Sequence, residues 1–332
     1  MRSARTRRTM RAAIYRRYGP PEVVGIEDIA KPAPKRNEVL IKIHAATVSS
    51  GDWRARSLSM PRGFGPIAPL VFGMLGPRQP ILGTELSGEI EAVGADVSKF
   101  KVGDAVFAFP SFAMGAHAEY RALPQDGCIA LKPPNLTFAE AAALCFGGVT
   151  ALRFLRDGAK VRRGDKVLVI GASGAVGSAA VQLAKYFGAD VTGVCSAANV
   201  DLVKSIGADR VIDYANDSKT SDQYDIICDT IGVTSFAACK DALKPGGRLL
   251  LVASGLAQVL GAGSKPDGKS VIAGPGEDAI EHVLFLKHLA EAGVFKPVID
   301  QCLPLEQIVK AHRRVDTGRK KGSVVVLISS DA

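Results

Sequence analysis

No apolar run in this 332-residue chain approaches the ~20 residues that a bilayer-spanning helix needs, so a membrane span is excluded. Paired cysteines are missing too. Cys128, Cys145, Cys195, Cys228, Cys239 and Cys302 are scattered with no C-x-x-C spacing. That rules out a disulfide framework and points to buried thiols in a reducing, cytoplasmic compartment. The stretch Met1–Thr9 contains no acid and is rich in Arg, Ser and Thr. It fits either the opening of a mitochondrial transit peptide or a disordered basic arm ahead of a second start at Met10. No apolar h-region follows, which excludes a secretory signal. Internal repeats and low-complexity tracts are absent.

Acids are in the minority, 33 against 42 Lys and Arg, for a net charge of +9. Much of the excess sits in the first seventeen residues and at Arg319, Lys320 and Lys321. With no basic stripe interleaved with aromatics and no nucleic-acid motif, nucleic-acid binding is excluded. What is present is an ordinary globular composition, 47% hydrophobic and 23% charged, in a length suited to two domains.

The chain is organised around residues 166–194, KVLVIGASGAVGSAAVQLAKYFGADVTGV. Val167–Ile170 is an apolar run of the kind found in a strand buried on both faces. Gly171, Gly174 and Gly177 follow, and Val176, Ala180, Leu183, Ala184 and Phe187 then recur at helical spacing before Gly188. A second apolar strand, Val191–Val194, completes a βαβ unit. In that context the first glycine permits a tight turn and the second lets the backbone approach a pyrophosphate. The third lets helix and strand pack closely, while the helix N-terminus offers free N–H groups to the phosphates. The stretch binds a dinucleotide.

Upstream, short alternating segments predict an antiparallel barrel. They are Met10–Ile29 around the Gly19-Pro20-Pro21 turn, Glu38–Ala45, Ile81–Phe109 and Ala116–Ala122. Asp52 is placed to cap a short helix within VSSGDWRAR. The Pro- and Gly-rich but apolar segment Ser59–Pro80 reads as a lid or interface, or as packing on its own domain. From Thr137 helices (Ala139–Leu155, Val200–Ile206, Phe236–Leu243) alternate with apolar strands, the signature of a doubly wound parallel sheet. The expected divisions are a basic arm over 1–9, a barrel domain over 10–133, a dinucleotide domain over 134–276, and a return to the barrel over 277–332.

The ordered set VSSGDWRAR, ILGTELSGEIEAVGADVSKFKVGDAVFAF, HAEYRA, GVTAL, GASGAVGSAAVQLAKYFGA, GADRVIDY, YDIICDTIG, LKPGGRLLLV and KPVIDQCLPLEQIVKAHRRVDTGRKKGSVVV resembles the medium-chain dehydrogenase/reductase superfamily, in its zinc-free quinone oxidoreductase-like branch. The resemblance implies a GroES-like antiparallel β-barrel joined to a Rossmann domain, a site in the cleft between them and, often, a homodimer. Zinc-dependent members carry a Cys near position 51 and a His before Glu85; here stand Gly51 and Thr84. No thiolate–imidazole set replaces them, so no metal is expected. Without a Lewis acid, alcohol oxidation is disfavoured. Hydride addition to a quinone or an α,β-unsaturated carbonyl needs less help, because the substrate's own π-system spreads the charge. Two alternatives stay open: an alcohol or carbonyl dehydrogenase of the same superfamily, and an NADPH-binding sensor without turnover.

Some relatives carry a Tyr at the position of Arg54, where Arg can stabilise an enolate oxygen or contact a phosphate or carboxylate. Asp52 is expected as a cap and orienting group. Trp53 is expected either to wall the nicotinamide pocket or simply to pack. After Val194 no acid appears until Asp201. Ser196 and Asn199 can bond a phosphate oxygen, and Tyr214 matches a tyrosine that contacts the 2′-phosphate in NADP-using relatives. NADPH is therefore expected, with NADH use as the fallback. The resemblance further places Thr150 near the nicotinamide or its phosphates and Ser173, Gly174, Ala175 and Val176 at the pyrophosphate. Ile231, Val252, Ala253 and Ser254 would edge the pockets, and Lys321 would reach a cofactor phosphate or remain solvated.

Overall fold

A computed structural model describes residues 9–216 and 222–329. The expected basic arm lies outside them except for Thr9, which opens a strand. β1 (Thr9–Tyr15) and β2 (Val24–Ala30) pair antiparallel across the Gly19-Pro20-Pro21 turn. β3 (Glu38–Val48) is the spine of the next sheet and pairs antiparallel with β4 (Leu86–Val93). β5 (Ala105–Ala108) extends from β4, β6 (Tyr120–Pro124) pairs with β3, and β7 (Ile129–Leu131) follows β5. The alternation seen in Glu38–Ala45 sends Ile41 and Ile43 into a core shared with Leu86, Ile90 and Val106. The strand expected over Ala116–Ala122 starts only at Tyr120.

β8 (Lys166–Ile170), β9 (Asp190–Cys195), β10 (Arg210–Asp213), β11 (Tyr224–Asp229) and β12 (Leu243–Leu251) are parallel, with β13 (Gly263–Ser264) antiparallel to β14 (Ser270–Ala273) at the edge. Their order, β10-β9-β8-β11-β12-β14-β13, reverses direction between β8 and β11. A doubly wound sheet opens its ligand crevice there, at the C-terminal strand ends. The glycine helix Ala175–Tyr186 buries Ala179, Ala180, Leu183 and Ala184 against this sheet.

β15 (Ile299–Pro304) pairs with β16 (Ser323–Leu327), which pairs with β3, so the chain's end belongs to the β3 sheet and not to the parallel one. The helix expected over Ala139–Leu155 is instead three pieces: Phe138–Ala142, Cys145–Leu152 and a π-helical turn Arg153–Gly158. Two separate caps make the break. Thr137 and Glu140 form a capping box on the first piece, while a carboxylate from β4's edge caps the second. The helix expected over Phe236–Leu243 likewise stops at Cys239, because Leu243 already begins β12. No helix among the described residues is long and apolar enough to cross a membrane.

Candidate active site

The three glycines do different work. Gly171 has φ +80°, and a Cβ there would lie 2.7 Å from Ile231 Cγ2 and Thr230 Oγ1. A Cβ on Gly177 would lie 2.0 Å from the Gly171 carbonyl oxygen, so only glycine lets the helix approach the turn. Gly174 is open: a Cβ would meet only the Gly171 oxygen, at 3.6 Å. Gly174 is also the N-cap of the glycine helix and supplies no side-chain cap. The first turn of the helix therefore has no side-chain cap and opens beside an uncovered glycine, a cradle that fits a pyrophosphate.

Beside this turn the structure assembles a polar cluster. Asn199 Nδ2 donates to Ser173 Oγ (3.0 Å) and Ser196 Oγ (3.2 Å). Both serine hydroxyls keep a proton to give, and Asn199 Oδ1 is buried with no partner. Two hydroxyl donors and one orphan acceptor suit a phosphorylated ribose. Asp213 pairs with Cys195 in the sheet register, which brings exposed Tyr214 to the same strand ends. Lys321 arrives from the opposite end of the chain, its Nζ 3.5 Å from the Ala198 carbonyl oxygen. On the far side of the crevice, Asp229 accepts from the N–H groups of Ile231, Gly232 and Thr234 at 2.8 to 3.0 Å. That fixes exposed Ile231 above Gly171. A Cβ on Gly232 would lie 2.6 Å from the Ala253 carbonyl oxygen, so the loop carrying Val252, Ala253 and buried Ser254 lies alongside.

On the barrel side, Ser49 rather than Asp52 is the N-cap of the helix Ser50–Ser57. Asp52 sits one turn in and closes a capping box: its Oδ2 accepts from the Ser49 N–H (2.7 Å) and hydroxyl (2.6 Å). Its Oδ1 accepts from the Gly83 N–H (2.7 Å), so this fully buried carboxylate holds structure together and is spent as an acceptor. Trp53 packs against the barrel core. Arg54 is half-buried, its Nε has no hydrogen-bond partner, and burial lowers its pKa. It lies one turn beyond Gly51 on the same helix face. A Cβ at Gly51 would lie 3.4 Å from Phe146 Cε2 and 3.6 Å from Thr84 Cγ2. The Thr150 hydroxyl turns back into its own helix and donates to the Phe146 carbonyl (2.7 Å).

Two residues here escaped sequence reasoning. Glu85 is buried, accepts from Thr47 Oγ1 (2.6 Å) and caps the helix Cys145–Leu152 through the N–H groups of Cys145 (2.9 Å) and Phe146 (2.6 Å). Desolvation outweighs these bonds and pushes its carboxyl up to about 7. Lys320, beside Lys321, has its charged end enclosed although the residue as a whole is only half-buried. Desolvation lowers it to about 8, against the pull of the Glu85 and Asp300 carboxylates. No local signal separates Glu85 from Glu89 or Glu91; its burial comes from a helix some sixty residues onward.

Comparison with known proteins agrees with this architecture. A zinc-binding dehydrogenase family model matches residues 206–326, and an alcohol dehydrogenase GroES-like domain model matches residues 35–133. The 2-methylene-furan-3-one reductase of Solanum lycopersicum is 34% identical, covering 96% of this chain and 79% of its own. The quinone oxidoreductase of Sus scrofa is 32% identical over 94% of this chain and 95% of its own. The chain belongs to the medium-chain dehydrogenase/reductase superfamily. Within that superfamily it falls in the quinone oxidoreductase-like branch and is an oxidoreductase using a nicotinamide cofactor. The solved quinone oxidoreductase from Coxiella burnetii superposes with a TM-score of 0.85, at 28% identity, covering 97% of this chain and all of its own.

One matching family is described as zinc-binding, so the residues must be tested against that ion. Gly51 has no side chain, Phe146 is hydrocarbon, and the Thr84 hydroxyl donates to Ser49 Oγ (3.3 Å). Among the described residues no group of three His, Cys, Asp or Glu is placed to hold a metal. This medium-chain dehydrogenase/reductase has no zinc donor set where Gly51, Thr84 and Phe146 meet.

Proposed function

We propose that this chain is a zinc-independent, NADPH-dependent reductase of quinones or α,β-unsaturated carbonyls, working where the two sheets face each other. The setting of Gly51 beside Ser49, Thr84 and Phe146 carries the reading, because these residues have no thiolate or imidazole to offer a Lewis acid. The names of the quinone oxidoreductase and furanone reductase relatives support the same substrate class.

When bound, the nicotinamide supplies a hydride. The chain's part is to hold and to compensate charge. The open Gly174 turn and the helix N-terminus hold the pyrophosphate, while Ser173, Ser196, Asn199 and Lys321 hold the phosphorylated ribose. With no acid between Val194 and Asn199, these groups favour NADPH over NADH. Hydride addition leaves an oxyanion on the acceptor. Arg54, a cation without an acid partner among the described residues, stabilises that oxyanion, and water returns the proton. The homodimer implied by the resemblance is part of this proposal, and sedimentation velocity tests it.

The test is NADPH oxidation in chelator with an ortho-quinone acceptor and NADH in parallel. Acceptor-dependent turnover with NADPH is the expected result. Turnover with NADH alone overturns the cofactor assignment, and loss of turnover in chelator, restored by zinc, returns the chain to an alcohol dehydrogenase-like reading. Saturable NADPH binding without turnover on quinones or enones would make it a sensor.

A further inference from the structure

The segment 59–80 carries a surface that the nucleotide site does not use. From Trp53 to Thr84 there is no Asp or Glu, while Arg54, Arg56, Arg62 and Arg78 are present. The segment is anchored at its base. The Tyr18 hydroxyl donates to the Gly73 carbonyl (2.8 Å), the Arg78 N–H donates to the Phe72 carbonyl (2.8 Å), and Phe72 packs on the barrel core. Near its start, the Leu256 N–H donates to the Arg62 carbonyl (2.9 Å), tying the segment to the parallel-sheet side. Anchoring turns the remaining apolar side chains outward. Ile67, Leu70, Val71, Met74 and Leu75 are all exposed, Met74 by 73% and Leu75 completely. The short helix Ala68–Phe72 and the turn after it thus form a protruding tip, not a groove.

Contiguous apolar surface of this kind marks a place that something covers. The rim decides what. Arg62 and Arg78 are exposed and form no ion pair among the described residues. Arg17 is also exposed and unpaired, and it follows Arg16, whose carbonyl oxygen would lie 3.3 Å from a Cβ on Gly76. Two copies joined across a two-fold axis at this tip would set these guanidinium groups against one another, since the Glu27 carboxylate at this rim is already paired with Arg16. An anionic lipid surface offers both missing partners, acyl chains for the tip and phosphates for the arginines.

We propose that the Ile67–Leu75 tip is a peripheral docking site for an anionic phospholipid bilayer. Met74 and Leu75 enter the boundary between headgroups and acyl chains, and Arg62 and Arg78 meet lipid phosphates. The apolar insertion is about one turn deep, so attachment is reversible and weakens with salt.

Cosedimentation of the full chain with vesicles tests this, using phosphatidylcholine alone and a phosphatidylcholine–phosphatidylglycerol mixture. Binding to the anionic vesicles only is expected. It should weaken roughly tenfold in Met74→Ser/Leu75→Ser and similarly in Arg62→Gln/Arg78→Gln. Thermal midpoint and NADPH binding of both variants should match the parent, since neither pair is part of the nucleotide site. Vesicle binding that survives both double substitutions overturns the proposal and assigns the charge to another part of the chain. Absence of binding to either vesicle also overturns it. Self-association abolished by Met74→Ser/Leu75→Ser would in that case give the face to a second copy.

Discussion

The backbone N–H of Gly322 donates to the carbonyl of Ser173 over 2.8 Å, and a parallel bridge joins Gly322 to Gly174. The last strand of the barrel sheet therefore starts on the glycine turn of the parallel sheet. This junction is what sets Lys321 beside Ala198, more than a hundred residues away in sequence.

Lys321→Ala is expected to weaken NADPH about tenfold, the worth of one charge-assisted contact of ~1.5 kcal/mol, and to change NADH binding little. Titration calorimetry with both cofactors checks this. Equal losses would place Lys321 at the pyrophosphate instead.

Gly174 and Gly177 should respond oppositely to alanine. At Gly174 the new methyl enters open space over the turn, so the fold should keep its thermal midpoint while cofactor binding falls. At Gly177 the methyl would lie 2.0 Å from the Gly171 carbonyl oxygen, so a loss of about 3 kcal/mol in stability is expected. Thermal melts with and without NADPH separate the two.

Arg54→Gln should lower kcat by about ten- to a hundredfold and leave the NADPH dissociation constant unchanged, as expected of a group that stabilises a developing oxyanion. Its Nε has no partner to lose, so the melting curve should hold. A change in cofactor affinity with kcat preserved would move Arg54 to the cofactor phosphates.

Two buried groups oppose each other as pH falls. His312 has no hydrogen-bond partner, and burial, with help from His117 and Arg56, holds its pKa well below the ordinary value. The unfolded chain takes up that proton below pH ~6.5 and the folded chain does not, so stability is lost on acidification. Glu85 runs the other way. Its folded value is about 7 against an ordinary 4.5, so stability falls as pH rises through that window. Glu85→Gln should therefore steepen the acid loss between pH ~4.5 and ~6.5, and His312→Leu should reverse it. Urea melts across that range decide the matter, and unchanged slopes in both variants would refute both assignments.

The strand–glycine–helix unit and the βα alternation after Thr137 were determined by the sequence. Each is local: a period of two or 3.6 residues, or glycines at fixed spacing, dictates backbone shape with no distant partner. Among the positions that the family motifs mark, Ser173, Ser196 and Asn199 share hydrogen bonds and Lys321 reaches the neighbouring Ala198.

Only the tertiary structure decided what each polar side chain does there. Asp52 looks like a cap on its helix, but Ser49 has that place, and Gly83, thirty-one residues on, takes up the free carboxylate oxygen. Glu85 reads as one acid among several in β4's neighbourhood until the helix Cys145–Leu152 closes over it. Asn199 reads as a phosphate ligand; in the fold its Nδ2 aligns Ser173 and Ser196, which leaves only its Oδ1 to accept. Burial and hydrogen-bond partnership arise between segments far apart in the chain, and the same residue type is a solvated charge or a desolvated one according to what folds against it.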